Sequence, residues 1–101
     1  MNVIKMLSGM IEGEIKDAGE YVSKAILYRE ERPELARLLY ALSLDEMGHM
    51  QKLHTAVAEI IQDYREKNGE PPPAMLAVYD YLHERHIEEA NAVKAAQASF
   101  R

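Results

Sequence analysis

The sequence predicts an all-α fold: a long antiparallel helical hairpin followed by a third, C-terminal helix. Three observations predict it. Apolar residues recur at spacings of 4 and 3 along three long stretches, which is the period of one helix face. Two segments, EERPEL and KNGEPPPAM, break those stretches. No strand-type alternation, low-complexity tract or short-period repeat is evident. With 101 residues, 48% of them hydrophobic, the chain suits a single domain, 1–101, with one small core.

The first helix is expected over about 2–31, with Val3, Leu7, Met10, Glu14, Ala18, Tyr21, Ala25 and Tyr28 as its stripe. Pro33 ends it. The residue before a proline is pushed away from helical angles, and proline itself is tolerated in a first helical turn. The second helix therefore starts at Pro33 and is expected over 33–67, with Gly69 as its C-terminal cap. Its stripe is Leu35, Leu39, Leu42, Glu46, His49, Leu53, Ala56 and Ile60. At about 1.5 Å per residue it spans roughly 50 Å. The short connection makes the two helices antiparallel neighbours. Pro71, Pro72 and Pro73 separate them from a third helix over 74–100, with the stripe Met75, Tyr79, Leu82, His86, Ala90, Val93, Gln97 and Phe100. A hairpin buries only one face of each helix, so it needs the third helix, a second chain, or both.

Composition narrows the function. The chain has no cysteine, which excludes disulfides, thiolate zinc sites and iron–sulfur clusters. No run of about 18 apolar residues exists, so no membrane span is expected. The N-terminal MNVIKMLSGMIEGEIKD turns acidic too soon for a signal peptide, and a cytoplasmic location is expected. The net charge is −5 and the basic residues are scattered, which argues against nucleic acid as a partner.

Polar residues inside the stripes point to chemistry. Glu46 and His49 occupy two adjacent stripe positions, and at i and i+3 they lie side by side. Glu14 sits in the middle of the first stripe. In a hairpin that turns near Glu31 and Arg32, residue i faces roughly residue 63 − i, so Glu14 faces His49. Buried carboxylates are costly unless paired or bound to a cation. Two carboxylates and one imidazole suit a divalent metal such as iron, manganese or zinc. Tyr21, one heptad beyond Glu14, can support a ligand carboxylate by a hydrogen bond. Gly13 and Gly48 flank the group and would give the ligands room or let helices approach closely. The plain alternative is a Glu–His ion pair that fixes the register between helices.

These residues resemble the ferritin-like superfamily, and its rubrerythrin branch most. EGEIKDAGEY resembles that family's first-helix segment, with Glu14 in the place of the ligand Glu and Tyr21 in that of the Tyr seven residues on. DEMGHMQKLH resembles the second-helix Glu-x-x-His pair, with Glu46 and His49 in the ligand places. The resemblance covers about residues 4 to 60. It implies a ferritin-like bundle with a carboxylate-bridged pair of irons. Complete bundles carry two such sets, and this chain carries one. The resemblance therefore implies a site completed by homo-oligomerisation, with a homodimer or larger assembly sharing two metals. Encapsulated ferritins are similar in length and build their site across subunits in this way. An encapsulin shell is thus a candidate partner, although AAQASFR does not match the targeting tail those proteins use. Without cysteine there is no rubredoxin-like centre, so peroxide reduction would need an external electron donor.

His86, and less centrally His83, add ligand candidates on the third helix. There the spacing is His-x-x-His, unlike the family's patterns. The six methionines read as core or interface filler. Glu12, Asp17 and Glu20 read as a solvated face, His54 as exposed, and REERPE as a salt-bridged tip.

The function expected from these residues and the resemblance is binding and oxidation of Fe(II) by oxygen or peroxide, as a ferroxidase or rubrerythrin-like oxidoreductase. Its metal ligands would be Glu14, Glu46 and His49. Two alternatives stand beside it. One is a metal-free helical dimerisation or adaptor module with a buried Glu–His layer. The other is a dimanganese protein acting on peroxide.

Overall fold

A computed structural model describes residues 2–101 as three helices: α1 (Asn2–Tyr28), α2 (Pro33–Asn68) and α3 (Pro73–Phe100). No strand occurs among the described residues. The molecule is a rod of 56 × 18 × 18 Å. Its length is that of α2, whose 36 residues at about 1.5 Å each give roughly 54 Å.

The breaks follow from local chemistry. Arg32 adopts φ −135° and ψ 71°, outside the helical region, and Pro33 opens α2. α1 ends at Tyr28, three residues before the expected Glu31. Residues 29–31 form the turn itself, closed by the Arg32 N–H donating to the Tyr28 carbonyl at 2.8 Å. A reversal just before a proline needs residues free of the helix, and the spacing alone does not reveal how many. At the other end Gly69 takes φ +79°, a conformation that favours glycine, and its N–H donates to the Arg65 carbonyl.

α1 is the central helix, with α2 along one side and α3 along another, and α2 and α3 meet little. The core gathers Ile11, Ile15, Ala18 and Val22 of α1, Met47 and Met50 of α2, and Ala90 and Val93 of α3. One polar chain crosses all three helices within it. The buried Ser43 hydroxyl donates to the Ala18 carbonyl at 2.7 Å and accepts from Gln97 Nε2 at 3.0 Å. At the hairpin tip the Arg29 guanidinium donates to the Ser99 and Phe100 carbonyls, which satisfies groups that the end of α3 leaves unpaired.

The stripe expected for α3 is its inner face: His86, Ala90, Val93 and Gln97 are buried. The stripe expected for α1 meets its buried line only at Leu7, Ala18 and Ala25, and no residue of the stripe expected for α2 is fully buried. α1 buries Ile4, Leu7, Ile11, Ile15, Ala18, Val22 and Ala25, while Val3, Met10 and Tyr28 are exposed. α2 buries Ala36, Ser43, Met47 and Met50, while Leu35 and His49 are exposed. A shift of one residue turns the face by about 100°. Both helices carry apolar residues on two neighbouring faces, and α3 covers one of them. The other, holding Val3, Met10, Glu14, Leu35, Glu46 and His49, is the open face of the hairpin.

Smaller corrections have the same origin. Met47 and Met50 are core, whereas Met6 and Met10 are exposed; Met1 lies outside the described residues. Gly13 and Gly48 do not mediate close helix approach, since a Cβ at either meets nothing within 4 Å. Glu12 is half-buried and lies 3.7 Å from Arg85 of α3. No helix among the described residues is long and apolar enough to cross a membrane.

Candidate metal centre

α2 presents Glu46 and His49 one turn apart, and α1 presents Glu14 opposite them. His49 Nδ1 lies 3.4 Å from Glu14 Oε2 and 3.8 Å from Glu46 Oε2. One donor atom from each of the three residues lies within 4.8 Å of the others, and no other three His, Asp or Glu side chains among the described residues meet that condition. The antiparallel pairing that puts residue 14 against residue 49 thus creates the group. The two glutamate side chains are largely shielded, at 25% and 19% exposure, whereas the His49 side chain is 55% exposed. The group lies on the open face, and its exposed His49 makes it reachable from solvent.

Its electrostatics favour a cation. A hydrogen bond with Glu14 raises the Glu46 carboxyl above its ordinary value of 4.5, burial and the Glu14 charge raise it further, and His49 opposes them. A divalent ion would relieve the repulsion between the two carboxylates. Hard oxygen donors with one imidazole fit Fe(II) or Mn(II), and also zinc.

The structure does not bring the other expected residues to this group. Tyr21 is half-buried but, among the described residues, hydrogen-bonds neither carboxylate. His83 and His86 belong to α3, which lies on the covered side of the hairpin, so neither reaches the open face. His83 Nδ1 instead lies 2.9 Å from Nε2 of His54, which is half-buried rather than exposed. The expectation for His54 fails because it was measured against the wrong face. His54 follows Met50 by four residues, so it continues the true buried line of α2. That spacing is the signal that would have found it.

No protein-family model, curated protein or solved structure matches the chain.

Proposed function

We propose that the chain is a ferritin-like di-iron protein that binds Fe(II) and oxidises it with oxygen or peroxide at a site shared between two copies. The observation that carries this is the convergence of Glu14, Glu46 and His49 from two helices within 4.8 Å, on a face the fold leaves open. One chain supplies half of the donors such a site uses. Val3 and Met10 lie exposed toward one end of the hairpin from the group, and Tyr28 and Leu35 toward the other. A second copy laid on this face would cover those apolar residues and bring a second Glu14, Glu46 and His49 to the first. The assembly would then be a homodimer or a multiple of one.

In this reading Fe(II) is the substrate, and each ion gives up one electron to the oxidant. The protein's part is to bind and orient. Glu14 and Glu46 hold the ions close and stabilise the higher oxidation state through hard oxygen donors, and His49 completes the shell. The solvent-exposed side of the group would leave room for the oxidant. The same donors accept manganese, so a dimanganese protein acting on peroxide is a variant of this proposal, decided by metal content.

The test is an anaerobic Fe(II) titration of metal-stripped protein with the oligomer mass measured alongside. About one iron per chain in a dimer or larger assembly is expected, followed by oxidation on admission of air. Glu46→Ala should abolish the binding, and full iron content in that variant would sink the proposal.

One observation favours a second reading. His49 lies within ion-pair reach of both carboxylates, so the layer can satisfy itself without a metal. The chain would then be a helical dimerisation or adaptor module. Absence of metal, with thermal stability unchanged by a chelator, is the result that distinguishes it, because a ligand bound only by the folded state must stabilise that state.

A further inference from the structure

A second polar cluster lies on the other side of the hairpin, between α2 and α3. His83 and His86 stand at i and i+3 on α3, and His54 faces them from α2. His54 Nε2 and His83 Nδ1 are 2.9 Å apart, with ring centroids at 4.7 Å. His86 is 6% exposed, and its buried Nε2 has no hydrogen-bond partner among the described residues. All three rings line a cleft of about 180 Å³ whose other polar walls are Ser8, Tyr79 and Asp80. The same rings also line a second cleft of about 250 Å³. The histidines thus form the partition between two spaces.

We infer that His54, His83 and His86 form an all-imidazole site for a late first-row divalent cation of the zinc class, one that ties α3 to α2. This site is independent of the iron reading and uses none of its residues. The distance between the facing nitrogens supports it. Two donors at about 2.0–2.1 Å from one zinc ion are about 2.9 Å apart at a right angle and about 3.3 Å apart at the tetrahedral angle. The observed pair, at hydrogen-bond distance, sits at the right-angle value, so a tetrahedral ion would part the two nitrogens by about 0.4 Å. Imidazole suits zinc, copper, nickel and iron, whereas the carboxylate-rich open face suits harder ions.

The proton balance is neutral. Of the two facing nitrogens one carries the hydrogen of the His–His bond. Binding moves that proton to the far nitrogen of the same ring, and both rings then present a lone pair with no net proton released. Burial lowers the basicity of His54, with His83 and His86 adding to it. Burial likewise lowers that of His86, against the opposing charges of Glu12 and Glu89. Both rings therefore tend to the neutral form that a metal requires. His86 does not yet share a point with the other two, since among the described residues only Glu14, Glu46 and His49 have three donor atoms within 4.8 Å of one another. Turning the His86 ring into the cleft supplies the third donor and ends the isolation of its Nε2. An unpaired buried polar atom is costly, so the ion removes a defect that the fold otherwise carries.

The experiment is a Zn²⁺ titration of the full chain carrying Glu46→Ala, so that the carboxylate group does not compete. One zinc per chain is expected. Adding His83→Gln, at an exposed position that leaves the helical circular dichroism intact, should weaken binding by roughly 100-fold or more, since even residues that only support a ligand cost 10–100-fold. Adding His54→Gln should do the same. Zinc should also raise the melting temperature of the Glu46→Ala chain and not of the Glu46→Ala/His83→Gln chain. Equal zinc binding by the two, or none by either, would overturn the inference. Iron binding by the wild-type chain is read separately, so the iron proposal and this one can fail independently.

Discussion

The two faces of the α1–α2 hairpin differ in what covers them, and that difference decides what each polar cluster can do. On the face under α3, Ile11, Ile15, Met47 and Met50 pack against Ala90 and Val93, and the polar atoms are histidines and one serine–glutamine chain. On the open face, Val3, Met10 and Leu35 are exposed around two glutamates and a histidine. The covered face makes the monomer, while the open face is spare apolar surface around a charged recess. Apolar residues at helical spacing are therefore not one signal here. They mark two surfaces, of which the chain itself can close only one.

The largest effect that would break this comparison is in the core. Ile15→Ala should cost about 2–5 kcal/mol, the usual range for a buried aliphatic truncation, whereas Met10→Ala, on the open face, should stay within about 0.5 kcal/mol where the chain is monomeric. Denaturant melts of the two variants check this. Equal losses would mean that the open face is already covered in the monomer. Next comes the polar chain. Ser43→Ala leaves Gln97 Nε2 buried and without its acceptor, and should cost about 1–3 kcal/mol. A Ser43→Ala/Gln97→Leu double variant should recover part of the loss, and no recovery would show that the chain is not what holds α3 there.

The smallest effect lies in the pH dependence, where the two clusters have opposite signs. Glu46 titrates above its ordinary 4.5 in the folded chain, so its contribution to stability is complete below pH 4.5 and is lost as pH rises through the raised value. His54 and His86 titrate below their ordinary 6.5, so their contribution is complete above pH 6.5 and is lost as pH falls through the lowered values. Denaturant unfolding of metal-free protein from pH 4 to 8 should show it. Glu46→Gln should gain on the wild type as pH rises from 4.5, and His54→Gln should gain on it as pH falls from 6.5. The same sign for both variants would refute the contrast.

Much of the scaffold was legible in the residues. The three helices and their breaks follow from Pro33, Gly69 and the proline run, because glycine and proline act through local backbone geometry and need no tertiary partner. The level of the recess was legible too: hairpin length and antiparallel pairing bring residue 14 against residue 49. The exact end of α1 was not, because the length of the turn depends on how the two helices pack. The sharper failure is the choice of face. Leu35, Leu39 and Leu42 form as regular a series as Ala36, Ser43 and Met47, and hydrophobicity prefers the former. The small residues won because α1 packs closely along α2 there, with Ala36 and Ser43 fully buried.

The sequence by itself determined three helices, their order, the hairpin and the convergence of Glu14, Glu46 and His49, since each rests on spacing along the chain. Only the tertiary structure decided which side α3 covers. It thereby decided that His83 and His86 meet His54 rather than the carboxylates, and that the carboxylate recess lies open. The reason is that both faces of the hairpin carry apolar residues at helical spacing, so the spacing alone does not say which of them α3 covers.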